Sequence, residues 1–242
     1  MSILFQDDLT TIIHGRWQDH TEALDAADAL VTDPPYGMGY VSNQSKLGPT
    51  PPIRGDSSTQ ERDELLDAWF GGPVPDRPAL VFGTWRRPRP TFMVRELIIW
   101  HKRGGWSGDV TLPWGPAHEE IYVMGGRREG SWTGKREANV ITTGRRAGSA
   151  RNAHVAYGHP TPKSVALMQE LIKHIPEDFT VIDPFAGAGA TGVAARLLGR
   201  RCVLIEVEKN YARACVERVE RIPPPDNATP PQSHPSAGGR ST

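Results

Sequence analysis

The chain has 242 residues, enough for one α/β domain with a substantial insertion. Its 28 basic and 28 acidic residues cancel, so global charge gives no reason to expect a nucleic-acid partner. The two cysteines form no C-x-x-C pair, and no apolar run reaches the roughly 18 residues of a membrane helix. We therefore expect a protein of a reducing, cytoplasmic compartment without metal or membrane contact.

The first strand with a chemical feature at its end is predicted over residues 29–32. It is followed by Asp33-Pro34-Pro35-Tyr36. Pro34 restricts Asp33 to extended geometry, and the two prolines form a stiff turn beyond the strand. An acid, a carbonyl and an aromatic ring would then share the carboxyl edge of a sheet, where ligands bind in open α/β folds. An ordinary Pro-Pro turn with a partly buried tyrosine is the alternative.

The middle of the chain combines polar loops with scattered regular elements. Residues 37–58 are rich in Gly, Ser and Pro, and have the length of a lid or binding loop. Apolar patterning predicts a helix over 60–70 and strands over 79–83, 97–100 and 120–124. Residues 101–153 otherwise change character, with many Gly, Arg and Trp residues.

Basic residues outnumber acidic ones between residues 127 and 151. They are Arg127, Arg128, Lys135, Arg136, Arg145, Arg146 and Arg151. Such a cluster can face phosphate groups, or it can be an ordinary solvated loop. Charge alone does not decide between these two interpretations.

Near the C-terminal end, a predicted strand, a glycine-rich turn and a helix follow one another. They come after a helix that is predicted to begin at Pro162, with Thr161 as its cap, and to reach Ile175. The strand covers residues 179–182, and Asp183-Pro184-Phe185-Ala186-Gly187-Ala188-Gly189 leads from it to a helix over 193–198. Glycines let backbone approach a nucleotide-like ligand, and the helix N-terminus presents free N–H groups.

Two enzyme classes fit this turn. Gly187, Gly189 and Gly192 satisfy G-x-G-x-x-G, and Glu206 ends the next predicted strand, where an acid can hold ribose hydroxyls. A nicotinamide-dependent oxidoreductase and an S-adenosylmethionine (SAM) methyltransferase both use such an acid. The glycine pattern leaves the choice open, and a plain strand-to-helix turn is the structural alternative.

The two motifs together resemble the amino-methyltransferases of DNA. Asp33 to Tyr36 looks like their catalytic D-P-P-Y motif, and Asp183 to Gly189 looks like their SAM motif D-P-F-x-G-x-G. The segment His159-Pro160-Thr161-Pro162-Lys163 resembles the H-x-x-x-K-P segment before that motif, with Ser164 in place of the second proline. The catalytic motif comes first, as in the β-type, permuted members of the family. The resemblance covers about residues 8–220 and implies a Rossmann-like α/β sheet flanked by helices.

The resemblance also implies a reaction and a set of site residues. The reaction is methyl transfer from SAM to N6 of an adenine flipped out of double-stranded DNA, with N4 of cytosine as the alternative base. A DNA-binding module without activity is a further alternative. The implied catalytic residues are Asp33, Pro34, Pro35 and Tyr36. The implied cofactor-binding residues are Asp183, Pro184, Phe185, Ala186, Gly187, Gly189, Glu206, Thr161 and Lys163. For His118-Glu119, which resembles another family segment, we expect a structural role.

The same resemblance divides the chain. We expect a methyltransferase domain over 1–222, with a catalytic half at 1–100 and a cofactor half at 155–222. A target-recognition insertion is predicted at 101–153 and a disordered tail at 223–242. The 37–58 loop and the 127–151 basic cluster are the predicted DNA contacts. A homodimer and a cognate restriction nuclease are partners that the family suggests.

Overall fold

The computed structural model describes residues 2–35, 37, 57–90, 92–103, 111–144, 163–223 and 225. Within these ranges nine strands pair into one mixed sheet in the order β1-β2-β9-β8-β3-β4-β6-β5-β7. The strands are β1 Ser2–Gln6, β2 Thr10–His14, β3 Ala29–Thr32, β4 Ala79–Gly83, β5 Val94–Arg103, β6 His118–Met124, β7 Val140–Gly144, β8 Thr180–Asp183 and β9 Arg201–Glu206. The helices are α1 Thr21–Ala26, α2 Gln60–Gly71, α3 Val165–Ile172, α4 Ala190–Leu197 and α5 Lys209–Glu220, with a 3-10 turn at Trp17–Asp19.

The direction of the strands brings both sequence motifs to one edge of the sheet. β2, β9, β8, β3 and β4 run parallel, so their carboxyl ends meet at what we call the carboxyl edge. β6 is antiparallel to β4 and β5, so its amino end lies at the same edge as the end of β5. β7 is parallel to β5 and also ends there. The residues that follow β3 and β8 are therefore neighbours in space.

Helices cover both faces of the sheet. Leu30 of β3 packs in the apolar layer that holds residues of α1 and α2. Val31, the next residue, packs in the opposite layer with residues of α3, α4 and α5. Because both faces are buried, the central strands are apolar throughout, as is typical of parallel sheets. This continuous apolar character is why β3, β4, β8 and β9 were predictable from short apolar runs.

The structure differs from the predicted elements in several places. β1, β2 and β7 were not predicted, and β1 and β7 lie at the two ends of the sheet. β5 is longer than the predicted 97–100, and α4 begins at Ala190 instead of residue 193. The helix predicted from Pro162 to Ile175 is shorter, because α3 begins at Val165 and ends at Ile172. Its cap is Ser164, whose Oγ accepts a 3.4 Å hydrogen bond from the Leu167 N–H.

The predicted division of the chain stays a prediction, although the main sheet crosses its boundaries. Within 101–153, β6 and β7 pair in the main sheet, so these two segments belong to the sheet core and edge. β1 and β2 come from the predicted catalytic half, yet β2 pairs with β9 of the cofactor half. A recognition role for the rest of 101–153 stays a prediction, and the predicted tail lies almost entirely outside the described residues. None of the helices in the described ranges is long and apolar enough to cross a membrane.

Candidate active site

Asp33 lies directly beyond β3, near the middle of the carboxyl edge. The buried Pro34 follows it and Pro35 is partly exposed. The Asp33 oxygen Oδ1 is buried and has no hydrogen-bond partner among the described residues. Desolvation raises the pKa of Asp33, and the nearby Lys163 charge only partly offsets this effect. A buried acceptor of this kind can be satisfied by a donor on a bound substrate.

The other oxygen of Asp33 belongs to a row of four alternating charges. Lys163 Nζ lies 2.7 Å from Asp33 Oδ2 and 3.0 Å from Glu119 Oε2. Lys102 Nζ pairs with Glu119 Oε1 at the far end of the row. Burial would raise the pKa of Glu119, but Lys163 and Lys102 outweigh it and lower that pKa to about 2. Glu119 is thus firmly ionised.

This row contains two residues whose roles were predicted. Lys163 was predicted to contact the cofactor; in the structure it pairs with Asp33, and the cofactor contact stays a prediction. Glu119 was predicted to be structural; it lies one residue into β6 at the carboxyl edge and shares Lys163 with Asp33. Lys102 was not predicted at all. Asp33, Glu119 and Lys163 each lie in a segment that resembles a family motif, but nothing in the sequence indicated that they meet.

Asp183 ends β8 and holds the glycine-rich turn from beneath. Its Oδ1 accepts hydrogen bonds from the Thr32 hydroxyl at 2.7 Å and from the Phe185 N–H at 3.1 Å. Its Oδ2 accepts from the Thr191 hydroxyl of α4. Burial raises the pKa of Asp183 to about 6, although these donors oppose the shift. Both oxygens are therefore engaged by the protein, and Asp183 ties together β3, the turn and α4.

Gly187 and Gly189 adopt positive φ angles of 52° and 75°, which side chains other than glycine rarely tolerate. The Cys215 thiol of α5 donates a 3.0 Å hydrogen bond to the Gly187 carbonyl, and Arg218 donates to the Ala188 carbonyl. The turn is thus anchored on α5. Cys215 is a buried thiol, and burial raises its pKa well above the ordinary range, so it serves packing rather than nucleophilic chemistry.

Glu206 ends β9 beside the turn, as predicted from its spacing. Its Oε2 accepts a 2.7 Å hydrogen bond from the Gly187 N–H, and its Oε1 accepts a 2.7 Å bond from the Glu208 N–H. Burial raises the pKa of Glu206 to about 7. The Glu206 carboxylate therefore lies directly beside the glycine-rich turn.

The remaining predicted site residues divide into two groups. Pro184, Phe185 and Ala186 form the first part of the turn, where the Ala186 N–H donates to the Ile205 carbonyl at 3.0 Å. Tyr36 and Thr161 lie outside the described residues. Their predicted roles stay predictions.

Exposed aromatic and basic side chains border the carboxyl edge near Asp33. Trp85 follows β4 and Trp114 precedes β6, and these rings are 61% and 81% exposed. The Arg86 guanidinium lies 5.3 Å from the Trp85 ring centroid. Arg87 donates to the Gly37 carbonyl, so the turn after β4 is tied to the segment after the catalytic motif. We call Trp85, Arg86 and Trp114 the edge surface.

The predicted basic cluster begins at the edge of the sheet opposite the carboxyl edge. Met124 ends β6 opposite Ala79, the first residue of β4, so the segment after it leaves from the edge remote from Asp33. In this segment the Thr133 N–H donates to the His174 carbonyl beyond α3. The exposed Arg127, Arg128, Lys135 and Arg136 therefore lie away from the motifs. Arg145, Arg146 and Arg151, like most of the 37–58 loop, are outside the described residues.

The sheet is covered by helices on both faces, and its neighbouring strands β3 and β8 end in an Asp-Pro-Pro turn and a glycine-rich turn. This is the fold of SAM-dependent methyltransferases. PvuII DNA methyltransferase (cytosine-N4-specific) superposes with a TM-score of 0.66 at 15% identity, over 89% of this chain and 88% of that one. The M1.HpyAVI–SAM complex gives a TM-score of 0.60 at 20% identity, over 87% and 100%. At such identities these likenesses define the fold.

Sequence comparison defines the family. Residues 86–217 match the model of the N6_N4_Mtase family, described as DNA methylase, and the chain belongs to that family. YubD of Escherichia coli (strain K12) is 29% identical over 212 residues, which are 81% of this chain and 83% of YubD. The type II methyltransferase M2.DpnII of Streptococcus pneumoniae is 41% identical over 63 residues, about a quarter of each chain. The protein is thus a DNA methyltransferase that uses SAM, and the oxidoreductase alternative falls away.

Proposed function

We propose that this protein is a permuted, β-type enzyme that methylates N6 of adenine in double-stranded DNA, with Asp33 as its catalytic carboxylate. The observation that carries the proposal is Asp33 Oδ1, which is buried, unpartnered among the described residues and adjacent to the glycine turn. The second oxygen is already held by Lys163. One acceptor is therefore available for one amino hydrogen of a base.

The chemistry explains why such an acceptor is needed. An exocyclic aromatic amine is a poor nucleophile, because its lone pair is delocalised into the ring. If Asp33 Oδ1 and the Pro34 carbonyl each accept one amino hydrogen, the nitrogen is drawn toward tetrahedral geometry. The same acceptors stabilise the positive charge that develops on the nitrogen during attack. Tyr36 would stack on the base, which must leave the duplex to reach this buried site.

The residues around the turn fit SAM, which supplies an electrophilic methyl group on a sulfonium. Glu206 would accept hydrogen bonds from the ribose hydroxyls, and the Gly187–Gly189 backbone would face the methionine part. Asp183 would hold the turn that faces the methionine part, because its oxygens accept hydrogen bonds from Thr32 of β3 and Thr191 of α4. Phe185, which is partly exposed, would border the cofactor.

Two features support the finer assignment. β3, which carries the catalytic motif, precedes β8, which carries the SAM motif, although the two strands are neighbours in the sheet. This order agrees with the permuted family type. The first residue of the tetrapeptide is aspartate. In the family, aspartate at this position is commoner than serine among adenine enzymes.

The edge surface is the region that we propose to face the duplex. Exposed tryptophans can stack on unpaired bases, and arginines can contact phosphates. As an enzyme that acts on DNA, the protein would work in the cytoplasm. A homodimer and a partner restriction nuclease stay predictions from the family.

The test is incubation of the purified protein with unmethylated DNA and methyl-labelled SAM, followed by nucleoside analysis. We expect label in N6-methyladenine. Asp33→Ala should abolish the label while SAM binding, measured by calorimetry, stays within about twofold of wild type, because Asp33 acts on the base. Label in N4-methylcytosine would overturn the choice of base, and undiminished transfer by Asp33→Ala would overturn the catalytic assignment.

A further inference from the structure

The row Asp33–Lys163–Glu119–Lys102 contains two carboxylates and two ammonium groups. It is assembled from three strand ends and from the segment before α3, so its members are far apart in the sequence. All four side chains are largely buried, with exposed fractions between 11% and 24%. Lys163 Nζ also lies 4.9 Å from the Phe82 ring centroid, and Lys102 Nζ lies 4.9 Å from that of Trp100. Each ammonium group thus has an aromatic ring beside it, which limits where it can move.

The balance of charge in the row decides what happens at Asp33. Glu119 uses one oxygen for each lysine, so neither lysine is left to Asp33 alone. Without the Glu119 charge, both ammonium groups would lose the carboxylate that they share, and a lysine contact could then cover Asp33 Oδ1. Asp183 also lies close to Asp33, but its oxygens are directed at Thr32, Thr191 and Phe185.

We propose that Glu119 is a positioning residue for methyl transfer: by pairing with Lys102 and Lys163, it keeps Asp33 Oδ1 available to the amino group of the target base. Glu119 touches no reacting atom in this arrangement and acts through the two lysines. The inference rests on the proposed function, since it takes Asp33 as the catalytic carboxylate.

The test compares Glu119→Gln, the double variant Glu119→Gln/Lys102→Met, and Glu120→Gln. Glu120 is a matched control, because it is the next residue of β6 and is buried, but it pairs with Arg89. Single-turnover transfer is measured at saturating SAM and DNA. The pKa of Asp33 is measured in the DNA-free protein from its carboxyl ¹³C signal, identified by its loss in Asp33→Asn.

Glu119→Gln should slow transfer on the order of tenfold to a hundredfold without weakening SAM binding. It should also lower the pKa of Asp33, since Lys163 and Lys102 then act on Asp33 without the opposing charge of Glu119. The double variant removes the surplus positive charge and should restore most of the rate and the original pKa. A merely structural role would change stability without a matched shift and restoration of the Asp33 pKa.

An unchanged rate and an unchanged Asp33 pKa in Glu119→Gln would overturn the inference. So would a double variant as slow as Asp33→Ala, which is the decisive comparison if Glu119→Gln alone does not fold. A wild-type protein that methylates no base of any DNA would refute the proposed function. The titration of Asp33 would still report on the row, so the two failures are distinguishable.

Discussion

The Thr32 hydroxyl donates a 2.7 Å hydrogen bond to Asp183 Oδ1, and this bond joins the two motifs of the site. Thr32 is the last residue of β3 and immediately precedes Asp33, whereas Asp183 begins the glycine-rich turn. Both side chains are buried. Because β3 and β8 are neighbouring parallel strands, the bond fixes the position of the Asp-Pro-Pro turn relative to the glycine-rich turn.

Thr32→Val should loosen this connection while keeping the shape of the side chain. Asp183 would lose a donor inside the protein, and a lost hydrogen bond to a charged buried group costs about 1.5–3 kcal/mol of unfolding free energy. SAM affinity should fall with it, because the turn is less well fixed. Urea unfolding and calorimetry measure the two effects. Thr32→Ser is the control, since it keeps the hydroxyl, and equal SAM affinities of the two variants would contradict the prediction.

Gly192→Ala should destabilise the protein through packing alone. A Cβ at Gly192 would come 2.4 Å from Cδ1 of the buried Leu204, so either this side chain or α4 would have to shift. Overpacking of this kind typically costs about 1–3 kcal/mol. Gly71→Ala, at the end of α2, meets nothing within 4 Å and should be neutral or slightly stabilising. Equal melting temperatures of the two variants would show that α4 adjusts freely.

The close approach of Gly192 to Leu204 also explains why the glycine pattern could not identify the enzyme class. The third glycine of G-x-G-x-x-G allows a helix to pack closely on a strand, and both candidate classes require this packing. Asp183 and Glu206 were predictable because each follows a buried apolar strand, and parallel strands bring such ends together. What separated the classes was a second motif, Asp33 to Tyr36, at the adjacent strand end.

The features that the sequence did not reveal depend on strand direction and on long-range pairing. β6 runs antiparallel to its neighbours, so it brings Glu119 to the carboxyl edge and carries Arg127 and Arg128 away from it. No local pattern encodes that direction. The row that includes Lys102 and Lys163 arises in the same way, from elements whose sequence neighbours give no sign of it.

SAM affinity should depend on pH through Glu206. Its pKa is raised to about 7, so the carboxylate takes up a proton as the pH falls through that value. A protonated Glu206 accepts ribose hydroxyls less well, so the dissociation constant should rise by up to about tenfold per pH unit below this pKa. Calorimetry between pH 6 and pH 8.5 measures the slope, which Glu206→Gln should flatten. If the SAM affinity of the wild-type protein does not change over this pH range, Glu206 does not bind the ribose.

The buried carboxyl groups of Glu206 and Asp183 should make the cofactor-free protein less stable as the pH rises. Glu206 has a folded pKa of about 7 against an ordinary 4.5, and Asp183 has about 6 against 3.8. Between these values the folded state binds more protons than the unfolded state, so the free energy of unfolding falls from about pH 4 to pH 7. Urea unfolding across this window measures the fall. Glu206→Gln should reduce it, and an identical slope in that variant would contradict the pKa assignment.

Trp85→Ala should weaken DNA binding if the edge surface faces the duplex. Loss of one stacking contact costs about 1–3 kcal/mol, which is roughly fivefold to more than a hundredfold in affinity. Arg86→Ala should instead reduce the salt dependence of binding by about one counterion, since it removes a phosphate contact. Fluorescence anisotropy at several salt concentrations measures both. Ile3→Ala is the control, because Ile3 is similarly exposed but lies on β1 at the far end of the sheet. If all three variants bind alike, DNA approaches another surface.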